Sequence, residues 1–131
     1  MTPPAHAART RTCSLWLEHG IVIGRFHDGA EVSADDAREN LAVTATLTSG
    51  VRHPVLVDLR PVRAQSAEAR ALFAGPAATA VCTAVALVTD SPLSRVLGNF
   101  FLGFNRPETP ARLFGDVDAA TAWLQAFRAS P

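Results

Sequence analysis

Apolar and polar residues alternate from Cys13 onward, with Cys13, Leu15 and Leu17 on one side of an extended chain and Ser14, Trp16 and Glu18 on the other. A second extended run, Ile21–Phe26, follows after only His19 and Gly20. Extended runs on both sides of a two-residue turn that contains Gly predict an antiparallel hairpin. The spacing then changes. After the His27-Asp28-Gly29 break, Ser33 stands three residues before Asp36 in a capping-box-like arrangement. Ala37, Leu41, Thr44, Ala45 and Thr48 recur at helical intervals before Gly50, which predicts a first helix.

The run Val55-Leu56-Val57-Asp58-Leu59 is too short for a helix and too uniformly apolar for a half-exposed strand. It predicts a strand covered on both faces, near the centre of a sheet. Ser66 is placed to cap a second helix through Ala69, Leu72 and Phe73, which Gly75-Pro76 interrupts before a short continuation to about residue 81. Residues 84–89 read as another buried strand. Asp90 or Ser91 can cap a third helix with Pro92 in its first turn. Along that helix Leu93, Val96, Leu97, Phe100, Phe101 and Phe104 recur at helical spacing, the clearest periodicity in the chain. The loop 105–110 leads to a short strand at 112–114, and Asp116 opens a last helix with Ala120, Trp123, Leu124 and Phe127 on one face.

This order predicts one α/β domain. Its sheet is mixed, mostly parallel and five-stranded: an antiparallel N-terminal hairpin, then βαβαβαβα with right-handed crossovers and about four helices. Residues 1–10 lack periodicity and suit a flexible N-terminal tail, leaving 11–129 as the domain. No internal repeat or linker divides it.

Composition narrows the function classes. The 131 residues carry no net charge, so no strong field draws the protein to nucleic acid or to an acidic membrane surface. All 12 basic residues other than His are Arg. Cys13 and Cys82 lie far apart in apolar stretches and read as small core residues. The chain starts with no export-signal pattern, so a reduced, cytoplasmic setting is expected. The longest apolar runs fall short of the roughly 20 residues that cross a bilayer. Neither HxxxH, HExxH nor CxxC occurs, so no metal site is expected. No GxGxxG, GxxxxGK[ST] or GxSxG occurs either, so no cofactor is expected and neither a phosphate loop nor a serine-hydrolase elbow is indicated.

Ligands of such sheets favour the carboxyl ends of parallel strands. The residues there are His27-Asp28, Asp58 with Arg60 and Arg63, Asp90-Ser91, and Gly115-Asp116. Helix capping alone accounts for Asp90, Ser91 and Asp116. Asp58 is different, because a carboxylate ending a buried strand must be paired or hydrogen-bonded, and Arg60 or the next helix start can supply the partner. The third helix is the other candidate. Its stripe packs on the sheet, while Leu102 beside Phe101 widens the apolar arc toward a partner subunit or an apolar pocket, and Asn99 and Asn105 add polar groups near its exit.

The element order, and the stretch VLVDLRPVRAQSAEARALF in particular, resembles the STAS domain of anti-sigma-factor antagonists, often called SpoIIAA-like. The run SPLSRVLGNFFLGFNRPETPARLF is similar to short bacterial STAS-like proteins, and together the likeness covers most of the chain from about Thr10. In that family a strand ending in Asp leads into a helix whose N-terminal serine is phosphorylated by a partner kinase. The resemblance puts Asp58 at the strand end and makes Ser66 the counterpart of the serine. This chain departs from the pattern, reading Gln65-Ser66-Ala67-Glu68 without the preceding Asp or the following Gly.

Three functions are thus expected in order. The first is a small non-enzymatic module that binds a protein partner or itself as a homodimer. Its surface comprises Asp58, Arg60, Arg63, Ser66, Asp90, Ser91, Arg95, Asn99, Phe101, Leu102 and Asn105. The second is binding of an apolar small molecule or lipid behind the third helix, through Leu97, Phe100, Phe101 and Phe104. The third is a small enzyme at the strand-end rim, with Asp58 or Asp90 as base and Arg60 or Arg95 holding an anion.

Overall fold

The computed structural model describes residues 2–105 and 107–128, with the side chains of Phe100, Phe104 and Asn105 outside the description. The hairpin forms from β2 (Cys13–Glu18) and β3 (Ile21–Phe26), paired antiparallel. Its turn needs the left-handed region twice, with φ of 51° at His19 and 79° at Gly20. That backbone twist matches the twist of the flanking strands, which explains so short a connection. Ahead of it, β1 (Ala8–Arg9) pairs antiparallel with β2, a strand within the segment expected to form a tail.

Beyond the hairpin every pairing in the main sheet is parallel: β3 with β5 (His53–Asp58), β5 with β7 (Cys82–Val88), and β7 with β8 (Ala111–Phe114). The sheet therefore has six strands in the order β1-β2-β3-β5-β7-β8, rather than five. Two short strands, β4 (Glu31–Val32) and β6 (Ala64–Gln65), pair separately and tie the entries of the first two helices together. The crossovers are α1 (Ala34–Leu47), α2 (Ala67–Ala74) with its short continuation α3 (Pro76–Thr79), and α4 (Pro92–Phe100), and α5 (Val117–Leu124) ends the fold. The break between α2 and α3 falls at Gly75-Pro76, as expected, and five α-helices lie among the described residues where about four are expected.

The two faces of the sheet bury different sets. Cys13, Leu15, Val22, Phe26, Val55, Val85 and Leu87 pack with Ala37 of α1, Ala69 and Ala74 of α2, and Phe101. On the opposite face Trp16, Ile21, Ile23, Leu56 and Val88 pack with Ala120 and Leu124 of α5, and the small Ala84 and Ala86 give that helix room. β5 contributes to both, with Val55 and Leu56 on opposite sides. This is the two-sided burial that its continuous apolar run predicts.

Asp36 in α1 completes the capping box with Ser33, receiving the Ser33 backbone N–H at 2.9 Å. It is also gripped by Arg11, whose Nε donates to Oδ1 at 2.7 Å. The Arg11 guanidinium, together with the Ser33 bonds, holds this carboxyl well below the usual carboxylate range. One residue away along the same strap, Thr10 Oγ1 donates to Asn40 Oδ1 at 2.5 Å. The strap before β2 is thereby fastened to α1.

α4 departs from the expected stripe. Its buried residues are Ser94 and Gly98, followed by Phe101, with Leu97 half-buried against the core, whereas Leu93 and Val96 stand in solvent at 49% and 52% exposure. The cause is a close approach to β8: a Cβ on Gly98 would lie 2.4 Å from Leu113 Cδ2. Small residues at 94 and 98 let the helix settle there, turning half of the apolar stripe outward. From Phe101 to Asn105 the helix widens into a single π turn.

Candidate functional site

Asp58 ends the central strand with its side chain 1% exposed. Its Oδ1 accepts from Arg60 Nε at 2.8 Å and from the Arg60 backbone N–H at 3.0 Å, while Oδ2 accepts from Arg60 Nη2 at 2.9 Å. Two parallel charge-assisted bonds plus an amide satisfy a buried carboxylate fully. Arg25 Nε adds a second positive group 3.8 Å from Oδ2. The two-residue reach falls within the turn after the strand, which the Val62 N–H closes by donating to Leu59 O at 3.1 Å. Of the alternatives open in the sequence, Arg60 is thus the partner.

The remaining rim residues lie around this pair. Arg25 also reaches the exposed Asp28 at 3.7 Å, and His27 Nε2 lies 3.3 Å from Ser14 Oγ. Ser91, not Asp90, caps α4: its Oγ accepts from Ser94 N–H at 3.1 Å, and Ser94 Oγ accepts in return from the backbone N–H of Ser91 and of Asp90. Asp90 itself is exposed. Asp116 caps α5, accepting from Ala119 N–H at 2.8 Å. Arg63, Arg95 and Asn99 are exposed, and Ser66 is a half-buried cap of α2 that accepts from Ala69 N–H at 3.0 Å. Among the described residues no group of three or more His, Cys, Asp or Glu is placed to hold a metal ion.

The rim thus brings Asp58 and Arg60 together, with the exposed Asp90 near enough for its charge to act on Arg60, and leaves Asp116 and Arg95 as exposed groups outside the pair. Arg25 was missed by sequence reasoning. Its signal was present: it continues the Ile21, Ile23 side of β3, so a charged residue at the end of a core-facing row needs a buried partner, and Asp58 sits directly across.

Around α4, Phe101 and Leu102 divide. Phe101 is buried at 7% and belongs to the core, whereas Leu102 is half-buried and borders a shallow groove with Pro107, Glu108, Pro110 and Ala111. The side chains of Asn105, expected at this surface, and of Phe100 and Phe104, expected in an apolar pocket, lie outside the description. Beneath the helix, between the sheet and α1, α2 and the π turn, is an apolar cavity of about 80 Å³. Both cysteines border it, and burial pushes each thiol up to about 12.

Residues 15–128 match the family model for a domain of unknown function, DUF7793. The chain belongs to the DUF7793 family. This member is also similar to a solved structure from Shewanella loihica PV-4, an uncharacterized protein of the DUF3478 family with a SpoIIAA-like fold. The two are 14% identical, with a TM-score of 0.64 over 89% of this chain and 97% of that one. The SpoIIAA-like architecture expected from the sequence is therefore the fold of this chain. A protein with unknown function from Arthrobacter sp. FB24 is 35% identical over 85% of this chain and 97% of that one, with a TM-score of 0.33. No curated protein matches the chain. No helix among the described residues is long and apolar enough to cross a membrane.

Proposed function

We propose that this DUF7793 chain is a non-enzymatic interaction module of regulatory type, and that its contact surface is the outer face of α4, where it pairs with a second copy of itself. The observation that carries the reading is the exposure of Leu93 and Val96, two large apolar side chains one turn apart on a helix that comes closest to β8 at Gly98. A two-fold axis midway between them sets Leu93 of one copy against Val96 of the other. The same antiparallel register brings exposed Asp90 to the exposed Asn99 of its partner, an acceptor facing an amide donor. Such self-complementarity is what an isologous contact requires.

The state of the rim supports the same reading. General base catalysis needs a carboxylate free to take a proton from substrate, and the Asp58 oxygens are engaged by Arg60. Asp90 and Asp116 lie at two helix starts, with Asp116 engaged as a cap. Sedimentation velocity tests the proposal. The wild-type chain sediments as a dimer, and Val96→Asp or Leu93→Glu sediments as a monomer with an unchanged far-UV spectrum. A wild-type monomer across the micromolar range, or dimers unaffected by both substitutions, overturns it.

A further inference from the structure

None of the residues of the proposed contact lines the interior cavity. Protein interiors are close-packed, with few voids larger than a water molecule. Here a void of about 80 Å³ runs between the sheet and the helices, bounded by Leu15, Val55, Val85, Phe73 and Phe101. Small residues line it, Cys13 on β2, Cys82 on β7 and Ala78 of α3, while the space over Gly24 in β3 is already taken by Leu15 and Cys13. A methyl group on Gly24 would already press on Leu15 Cδ2 at 3.0 Å.

The chemistry of the walls selects the occupant. Among the described residues, no charged side chain lines the cavity. Of its polar wall groups, Asn40 donates from Nδ2 to Thr12 Oγ1 at 3.2 Å and accepts from Thr10, and Thr44 Oγ1 donates to the Asn40 carbonyl at 2.8 Å. A buried water needs two to four polar partners, and apart from the Gln65 amide at the margin these groups are already hydrogen-bonded, so the mostly apolar walls favour an apolar guest. One wall is the π turn that starts at Phe101, and π turns recur at functional sites because they break the regular helical ladder. The volume is about half that of an apolar cavity of about 150 Å³ that takes up benzene or xenon.

We propose that this cavity is a binding site for a small, uncharged, apolar molecule of a few heavy atoms, with Phe101 of the π turn as one of its walls. A carboxylate or ammonium headgroup finds no counter-charge on the walls and is excluded.

The test uses the full chain with xenon and benzene as probes and hexanoate as the charged control. Benzene near saturation raises the melting temperature by a few degrees and slows native-state labelling of Cys13 and Cys82 by a disulfide reagent several-fold. Hexanoate does neither, and xenon-pressurised crystals show xenon between Leu15, Val85 and Phe101. Ala78→Val, which fills the cavity from α3, abolishes the benzene effects, and Cys82→Val serves the same purpose should the first variant fail to fold. Unchanged melting and labelling with benzene, xenon absent from the cavity, or benzene effects that persist in the folded filled variant overturn the proposal. None of these outcomes bears on the dimer.

Discussion

Replacing Arg60 by Ala removes the fork that neutralises Asp58 and leaves a carboxylate with 1% exposure. Deleting one partner of a buried ion pair typically costs about 3–5 kcal/mol, because the remaining charge stays desolvated. Two contacts survive the substitution: the residue-60 backbone N–H at 3.0 Å and Arg25 Nε at 3.8 Å. They place the cost near the lower end, at about 3 kcal/mol. Asp58→Asn is the asymmetric counterpart. It leaves Arg60, whose side chain is already 30% exposed and can turn to water, so the loss is that of charge-assisted bonds, about 1–2 kcal/mol. Urea unfolding at pH 7, followed by circular dichroism, measures both, with unchanged slope as the sign that only stability has moved. The double variant should fall short of the sum of the single effects, since removing the carboxylate removes the reason Arg60 is needed. If Arg60→Ala is no more destabilising than Asp58→Asn, or if both are nearly neutral, the carboxylate is not held as a structural ion. The rim would then regain a group available for chemistry.

Two further outcomes follow from the helix starts. Because Asp36 has its folded-state proton affinity lowered by Arg11 and Ser33, the stability it contributes is present above the unfolded carboxyl range, near pH 4, and is lost as the pH falls below it. Acid titration of the melting temperature should therefore show a limb below about pH 4 that Arg11→Ala flattens. Ser66→Ala should lower stability by about 1 kcal/mol through loss of the α2 cap, while Ser66→Asp keeps it near wild type, since Asp caps as well and favours a helix N-terminus. Equal losses in the two Ser66 variants by thermal melting would contradict the capping role.

Much of the architecture was legible because the relevant signals are local. The Gly-containing turn between two extended runs, Ser33 three residues ahead of Asp36, Gly75-Pro76 between helical stretches and the uniformly apolar run at 55–59 each specify an element from a few neighbouring residues. The additional edge strand was not legible. Ala8 and Arg9 have no extended pattern of their own and pair because Ser14 and Leu15 of β2 offer an open edge. The Arg11 grip on Asp36 was equally hidden, since it joins residues that only the fold brings together. At the rim, the need of Asp58 for a partner followed from its position, while Arg60 and the next helix start stood as alternatives until the structure placed Arg60 against it. The contribution of Arg25 required knowing that β3 and β5 lie side by side in a register that sets residue 25 opposite residue 58.

α4 shows how a strong local pattern can point to the wrong face. Apolar residues at 93, 96, 97, 100, 101 and 104 form a wide arc, and the usual inference is that the centre of such an arc faces the core. That inference assumes the helix rests on its bulky residues. When the neighbouring element supplies the bulk instead, the closest approach is made by the smallest residues, and the helix rotates to place them inward. Leu113 of β8 supplies it here, reaching to within 2.4 Å of where a Gly98 side chain would begin. Ser94 and Gly98 therefore mark the contact line, Phe101 closes it at the π turn, and Leu93 and Val96 are left outside. The rotation leaves an apolar ridge outside the helix, and the Phe101 turn that closes its inner line also forms a wall of the cavity. Gly98→Val separates rotation from sequence pattern: it keeps every residue of the stripe yet forces α4 away from β8. By the overpacking rule it should cost about 1–3 kcal/mol. It should also change the association state together with native-state labelling of the two thiols, because one helix carries the outer ridge and continues into the inner wall. A variant that loses stability with neither property altered would show that the placement of α4 governs neither surface.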